Sequence, residues 1–190
     1  MNFLNKFNNT KNIRFEMFKK VFEIACERNL KTLVETGTSR GKIKFFFFRK
    51  YNWKDGMSTI MLSHFAKFIK GRLYTCDILS KNIEAAKKFT KNYSDFISYH
   101  HQDSVLFLKK FNNPIDLLYL DSYDGHDPIA ASKHQLLEAQ TSIKNIHQNS
   151  LILLDDKGSK TNLSINFYLK NNFKIIFETK YQILLSQNDI

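Results

Sequence analysis

The alternation of apolar runs with helical periodicities is the clearest signal in this chain. After a polar leader, Phe15, Phe18, Val21, Phe22 and Ala25 recur at helical spacing and predict an amphipathic helix over 14–29. Short β-prone or apolar runs follow at Thr32–Glu35, Arg72–Ile78, Phe96–His101, Ile115–Leu120 and Leu151–Leu154, five strands of buried type. Helical patterns lie between them at Met57–Ile69, Lys81–Asn92, Val105–Phe111 and Ala130–Ile146, with one more at Asn162–Lys170. The terminal runs Phe173–Thr179 and Gln182–Ser186, joined at Lys180 and Tyr181, predict a hairpin. Strand and helix in strict alternation demand a largely parallel sheet covered on both faces. The expected fold is therefore α/β: a Rossmann-like, doubly wound, seven-stranded sheet, mostly parallel, with a C-terminal antiparallel hairpin. Segment 39–55 breaks the rhythm without a period of its own, and predicts an inserted loop or short helix over the site.

At 190 residues the chain fits one domain, 1–190, with 1–30 as leader and first helix, and hence one active site. Its 43% hydrophobic and 25% charged content is that of an ordinary globular protein. Met1–Thr10 lacks the basic start and apolar core of a signal peptide, and the longest extreme apolar run, Phe45–Phe48, is far short of the ~20 residues that span a bilayer. The expectation is a cytoplasmic protein with no membrane partner. Cys26 and Cys76 lie in apolar surroundings and predict packed thiols. The formal charge of +11 suits an anionic partner such as nucleic acid, but the lysines punctuate many elements, which fits a solvated surface better than a footprint. Abundant Lys, Asn, Ile and Phe also follow from an AT-rich genome, so the charge alone does not discriminate.

A doubly wound sheet binds its ligand at the carboxyl ends of the strands, where the first strand turns into its helix. Glu35-Thr36-Gly37-Thr38-Ser39-Arg40-Gly41 occupies that place. Asp77 ends the next strand, 21 positions after Gly56 (77 − 56), close to the ~20 expected between a loop glycine and a ribose-binding carboxylate. The plainer alternative for Asp77 is capping of the following helix.

Glu35-Thr36-Gly37-Thr38, followed after the insertion by Asp55-Gly56-Met57-Ser58-Thr59, resembles the E-x-G-T-x-x-G-x-S-T turn of class I S-adenosylmethionine-dependent methyltransferases, especially the catechol O-methyltransferase-like group. The likeness runs from about Lys31 to the C-terminus and includes the final antiparallel strands. It implies S-adenosyl-L-methionine as cofactor, with Glu35, Gly37, Thr38 and Ser58 at its methionine end and Asp77 on the ribose hydroxyls. The end of the third strand then meets the adenine: Asp103 would accept from its amino group while Ser104 caps the next helix. Asp103 as a helix cap fits equally well. The insertion splits the usual short loop and leaves Ser39, Arg40 and Gly41 without assigned places.

Asp121 ends the fourth strand and Asp155-Asp156 the fifth. On neighbouring strands ~4.8 Å apart, three carboxylates converge, and they need a cation; oxygen ligands suit Mg²⁺, Mn²⁺ or Ca²⁺. The catechol-type and macrolide- or aminocoumarin-sugar O-methyltransferases look similar here, which implies Asp121, Asp155 and Asp156 as ligands of Mg²⁺ orienting a substrate hydroxyl. Without a metal, Asp155 and Asp156 would cap a turn before Gly158 and Asp121 would face the pocket.

Asp121 through Pro128 gathers titratable groups, among which Asp124 or His126 is placed to act as general base; either suits a surface turn as well. Taken with the implied metal, Asp121, Asp124 and His126 are the catalytic candidates. His134 and Glu138, at i and i+4, read as a solvent-facing pair. Arg40, Arg49, Tyr51 and Trp53 suit a lid that stacks on a substrate ring, whereas Phe45–Phe48 equally suits a plug against the N-terminal helix or a second subunit of a homo-oligomer. Three functions compete: methylation of a small hydroxylated acceptor, sugar-like or phenolic; methylation of nucleic acid at ribose or cap; and nucleotide binding without catalysis. The segment Asp121-Ser122-Tyr123-Asp124 lacks the Asn/Asp-Pro-Pro-aromatic motif of amino-methylating nucleic-acid enzymes, which lowers the second.

Overall fold

The computed structural model describes residues 1–39, 41–45, 48–53, 57–123 and 126–189, and within 42–50 the backbone alone. Strands β1 (Thr32–Thr36), β4 (Arg72–Asp77), β5 (Ile97–His101), β6 (Ile115–Leu120), β7 (Ile146–Asp155), β8 (Lys174–Glu178) and β9 (Gln182–Ser186) form one sheet in the order β5-β4-β1-β6-β7-β9-β8. The first five of that order run parallel, and β9 pairs antiparallel with both β7 and β8. This is the expected doubly wound sheet, with its hairpin inserted so that the last strand in sequence is the inner one. The order reverses beside β1, where chains leave for β4 on one side and β6 on the other, and a crevice opens at such a switch point.

Helices α1 (Phe15–Glu27), α2 (Ser58–Phe68) and α3 (Ser80–Phe89) alternate with the strands, as do α4 (Ser104–Lys110), α5 (Pro128–Ser142) and α6 (Asn162–Lys170). Two apolar layers sandwich the sheet. One joins Met17, Phe18, Val21 and Phe22 of α1 and Met61, Leu62 and Phe65 of α2 to Leu33, Leu73, Leu117, Tyr119, Leu151 and Leu153. The other joins Phe107, Leu108, Ala139 and Tyr168 to Val34, Cys76, Leu118, Leu120, Ile152 and Leu154. The period of two decides what happens at the carboxyl edge. Leu33 is followed on its own face by Glu35, Leu73 by Thr75 and Asp77, Leu117 by Tyr119 and Asp121, Leu153 by Asp155. Each of these strands is thus apolar in the middle and polar at its carboxyl end on the face covered by α1 and α2.

Several boundaries shift for local reasons. α5 begins at Pro128 instead of Ala130, because Asp127 accepts hydrogen bonds from Ile129 N at 3.1 Å and Ala130 N at 3.0 Å and proline suits the first helical position. It ends by Ser142, since Ile146, in register with the helical pattern, belongs to β7 and pairs with Ile115. The segment expected to be an inserted loop or short helix is a β-hairpin, β2 (Lys42–Phe45) antiparallel to β3 (Phe48–Tyr51). Asn52 N donates to Gly41 O at 2.9 Å, closing its base. Gly41, at φ +67°, lies where a Cβ would stand 1.7 Å from the Phe89 ring, so a bare backbone lets the hairpin start against α3. Among the described residues, no helix is long and apolar enough to cross a membrane. Cys76 is buried and Cys26 half-buried, both as free thiols.

Candidate functional site

Gly37 fixes the geometry of the switch point. It sits at φ +84°, and a Cβ there would lie 2.2 Å from the Asp121 carbonyl oxygen and 2.7 Å from Ser122 Cα. Only glycine combines that backbone conformation with so close an approach. Its N–H donates to Cys76 O at 3.0 Å, and Asp121 N donates to Thr36 O at 3.0 Å, so the turn after β1 is bound to the ends of both neighbouring strands. Asp77 and Asp121 consequently flank the same turn.

On the β4 side, Glu35 is wholly buried. Its Oε2 accepts from Thr75 Oγ1 at 2.7 Å and Thr59 Oγ1 at 2.8 Å, while Oε1 has no hydrogen-bond partner among the described residues. Burial pushes its carboxyl up to about 7, against the hydroxyls of Ser58, Thr75 and Thr59. Thr59 also accepts from Ser39 N at 2.8 Å, which ties the glycine turn to the start of α2, where Ser58 is the first, buried residue. Thr38 Oγ1 lies 3.1 Å from Thr75 Oγ1, and Thr38 N donates to Asp77 Oδ2 at 3.2 Å. Asp77 further accepts from Asn82 Nδ2 at 3.0 Å and from Leu79 N at 2.8 Å. Its carboxylate therefore supports the turn leading into α3 as well as the glycine turn. Three of roughly four acceptor positions are in use.

At the end of β5 the residues exchange roles. Asp103, not Ser104, caps α4, accepting from Leu106 N at 2.9 Å. Ser104 Oγ turns beneath the sheet edge and lies 2.9 Å from His134 Nε2 and 3.3 Å from Ser122 Oγ. Ser122 in turn donates to Glu138 Oε1 at 2.7 Å. His134 and Glu138, read from their spacing as a surface pair, belong to this polar cluster, and Glu138 is only 1% exposed. Burial raises its carboxyl, with His134 and the Ser122 hydroxyl opposing. Nothing in an i, i+4 pair distinguishes this arrangement from a solvated one; the serines that complete it lie 16 and 30 positions from their partners Glu138 and His134.

On the β6–β7 side, Asp121, Asp155 and Asp156 do gather, but around two basic side chains. Arg14 Nε donates to Asp155 at 2.7 Å (Oδ2) and 3.0 Å (Oδ1), and Arg14 Nη2 reaches Asp156 at 3.3 Å. Lys160 Nζ lies 2.9 Å from Asp121 Oδ1 and 2.8 Å from Asp156 Oδ2. Tyr119 OH donates to Asp155 at 2.7 Å and to Asp121 at 3.3 Å. Burial disfavours the Lys160 ammonium, yet Asp121 and Asp156 outweigh it and hold its pKa above the usual lysine value. Arg14 is likewise held charged, chiefly by Asp155, against the cost of burial. Burial and the Asp155 charge raise Asp121, opposed by Lys160 and Arg14.

The expected Mg²⁺ does not fit this arrangement. Two internal cations already occupy the carboxylate oxygens a metal would need, and among the described residues no group of three or more His, Cys, Asp or Glu is placed to hold a metal ion. Arg14 and Lys160 escaped sequence reasoning because Arg14 lies 141 positions from Asp155, and Lys160, four after Asp156, looked like one more scattered surface lysine. His126 is exposed, just before the cap of α5. Asp124 lies outside the described residues, as do Arg40, Asp55, Gly56 and the side chains of Phe45–Phe48 and Arg49. Tyr51 and Trp53, expected in a lid, stand with ring centroids 5.5 Å apart, and Trp53 packs against the α1–α2 layer.

No family model matches the chain, and no curated protein matches it. Solved structures do. The O-methyltransferase NovP superposes with a TM-score of 0.65 at 11% identity, over 92% of this chain and 79% of that one. A methyltransferase of Podospora anserina bound to S-adenosylhomocysteine gives 0.64 at 13%, over 91% and 78%. An rRNA methylase of Streptococcus thermophilus gives 0.57 at 8%, over 88% and 93%. The chain therefore has the Rossmann-like fold shared by class I methyltransferases, including the terminal antiparallel strands.

Proposed function

We propose that the chain is an S-adenosylmethionine-dependent methyltransferase acting on a small hydroxylated acceptor, sugar-like or phenolic. The observation that carries the reading is the Gly37 turn, pressed to backbone contact against Asp121 and flanked by Asp77, on a sheet whose likenesses are methyltransferases. The cofactor supplies the methyl group and, as a sulfonium, the driving force for its transfer. Glu35, one of whose buried oxygens has no hydrogen bond among the described residues, suits the amino group of its methionine part, beside Gly37, Thr38 and Ser58. Asp77 keeps roughly one acceptor position, enough for one ribose hydroxyl. Asp103 and Ser104 line the edge that the adenine would meet. Asp121 faces the acceptor with His126 in the adjoining loop as a candidate base; Asp124 keeps that role only by its place in the sequence. The protein acts without a membrane, in the cytoplasm, alone or as a homo-oligomer.

The charge of +11 favours a second reading in which the acceptor is nucleic acid, methylated at ribose or cap. Incubation with methyl-labelled S-adenosylmethionine and either a fractionated small-molecule extract or total RNA separates the two. Label in the small-molecule fraction at a rate insensitive to salt supports the first. Label in RNA, lost steeply as salt rises, replaces it with the second.

A further inference from the structure

We propose that Lys160 is a built-in cation standing in the place of a divalent ion at the acceptor end of the site. The turn after β7 is shaped to deliver it. Asp156 at φ +56° and Gly158 at φ +86° reverse the chain, and Lys160 N and Ser159 N both donate to Asp156 O, at 3.2 and 3.1 Å. The side chain then runs inward until its ammonium bridges Asp121 and Asp156. Lys160 ends 3% exposed, an unusual place for a lysine. An ammonium so deeply placed costs several kcal/mol unless carboxylates surround it. Here two do, at the same oxygens that a hard cation would claim.

Arg14 enters from the opposite side, from the residue before α1, and engages Asp155 and Asp156. Asp156 is thus shared by both cations, and Tyr119 links Asp155 to Asp121. A second observation marks the pocket as built to hold polar groups. Gln182, wholly buried, lies opposite Asp155 in the β7–β9 register and hence on the same face of the sheet, and neither atom of its amide has a hydrogen-bond partner among the described residues. Lys160 is a positioning residue: its ammonium bridges Asp121 and Asp156 and fixes the Asp121 carboxyl beside the Gly37 turn, the task a bound Mg²⁺ would otherwise perform.

Calling this the acceptor end rests on the methyltransferase reading, but the test needs neither cofactor nor turnover. The full chain, Lys160→Ala, Lys160→Met and Lys160→Arg are each titrated with Mn²⁺, followed by the loss of its free paramagnetic resonance signal and by the shift in unfolding temperature. The unaltered protein and Lys160→Arg, each keeping a cation in place, show no saturable binding. Lys160→Ala, or Lys160→Met if the smaller residue prevents folding, unfolds at lower temperature and gains saturable Mn²⁺ binding with a dissociation constant on the order of 10⁻⁴–10⁻³ M, together with an Mn²⁺-dependent recovery of stability. Saturable binding by the unaltered protein overturns the proposal, as does a folded Lys160→Ala or Lys160→Met variant that gains none. Neither outcome bears on whether the β1–β4 corner takes S-adenosylmethionine, which a cofactor titration decides separately.

Discussion

The two polar corners on either side of Gly37 are built on opposite principles. On the β4 side, neutral hydroxyls, the Asn82 amide and backbone N–H groups surround Glu35 and Asp77, and among the described residues no basic side chain is paired with either and one Glu35 oxygen is without a hydrogen bond. On the β7 side, three carboxylates are matched against Arg14 and Lys160. The first corner has hydrogen-bonding capacity left for a ligand. The second draws its cations from within the chain. What distinguishes them is the supply of cations, which the carboxylates themselves do not reveal.

The largest effect is expected at the point where the corners meet. Gly37→Val combines a β-branched side chain with φ +84° and a clash against the Asp121 backbone, and should cost more than about 3 kcal/mol by urea denaturation. A loss below ~1 kcal/mol would mean that the turn can move away from β6.

Within the second corner, Asp155→Ala removes the shorter ion pair of the buried Arg14 guanidinium and should cost about 3–5 kcal/mol. Adding Arg14→Met should return part of that loss, since the guanidinium no longer lacks its Asp155 partner; strictly additive losses would contradict the pairing.

In the first corner, the test is pH. Glu35 is raised from an ordinary 4.5 to about 7 in the folded chain, so it binds a proton more tightly folded than unfolded. Its contribution to stability is complete below about 4.5 and is lost as pH rises through about 7, a change on the order of 3 kcal/mol. Glu35→Gln should flatten the stability profile over that window; an unchanged slope would place its origin elsewhere.

The smallest effect falls on Asp103→Ala, which removes the α4 cap and should cost about 1 kcal/mol. Unchanged affinity for S-adenosylhomocysteine would leave Asp103 a cap only, whereas weaker binding would put it in the adenine pocket as well.

How legible each corner was follows from the same contrast. The period-2 pattern of Leu33/Glu35, Leu73/Thr75/Asp77 and Leu117/Tyr119/Asp121 carries both the sheet and the face on which its polar ends emerge, so the order of elements and the glycine turn could be read locally. The hairpin at 42–51 could not, because its apolar run has no alternation to separate strand from helix. Arg14 and Lys160 could not either: Arg14 meets Asp155 from 141 positions away, and Lys160 owes its burial to Asp121, 39 positions away. Asp103 as cap, one of the two readings its position allowed, was decided by one residue of helix start, the limit of any reading of boundaries from pattern.

Calorimetric titration with S-adenosylmethionine and S-adenosylhomocysteine, in Mg²⁺ and in EDTA, beside an Asp77→Ala variant, tests the account most directly. Saturable binding indifferent to EDTA, and weakened by Asp77→Ala roughly tenfold to a hundredfold as expected for a lost charge-assisted hydrogen bond, is the predicted result. Absence of binding to both compounds in either buffer would contradict it.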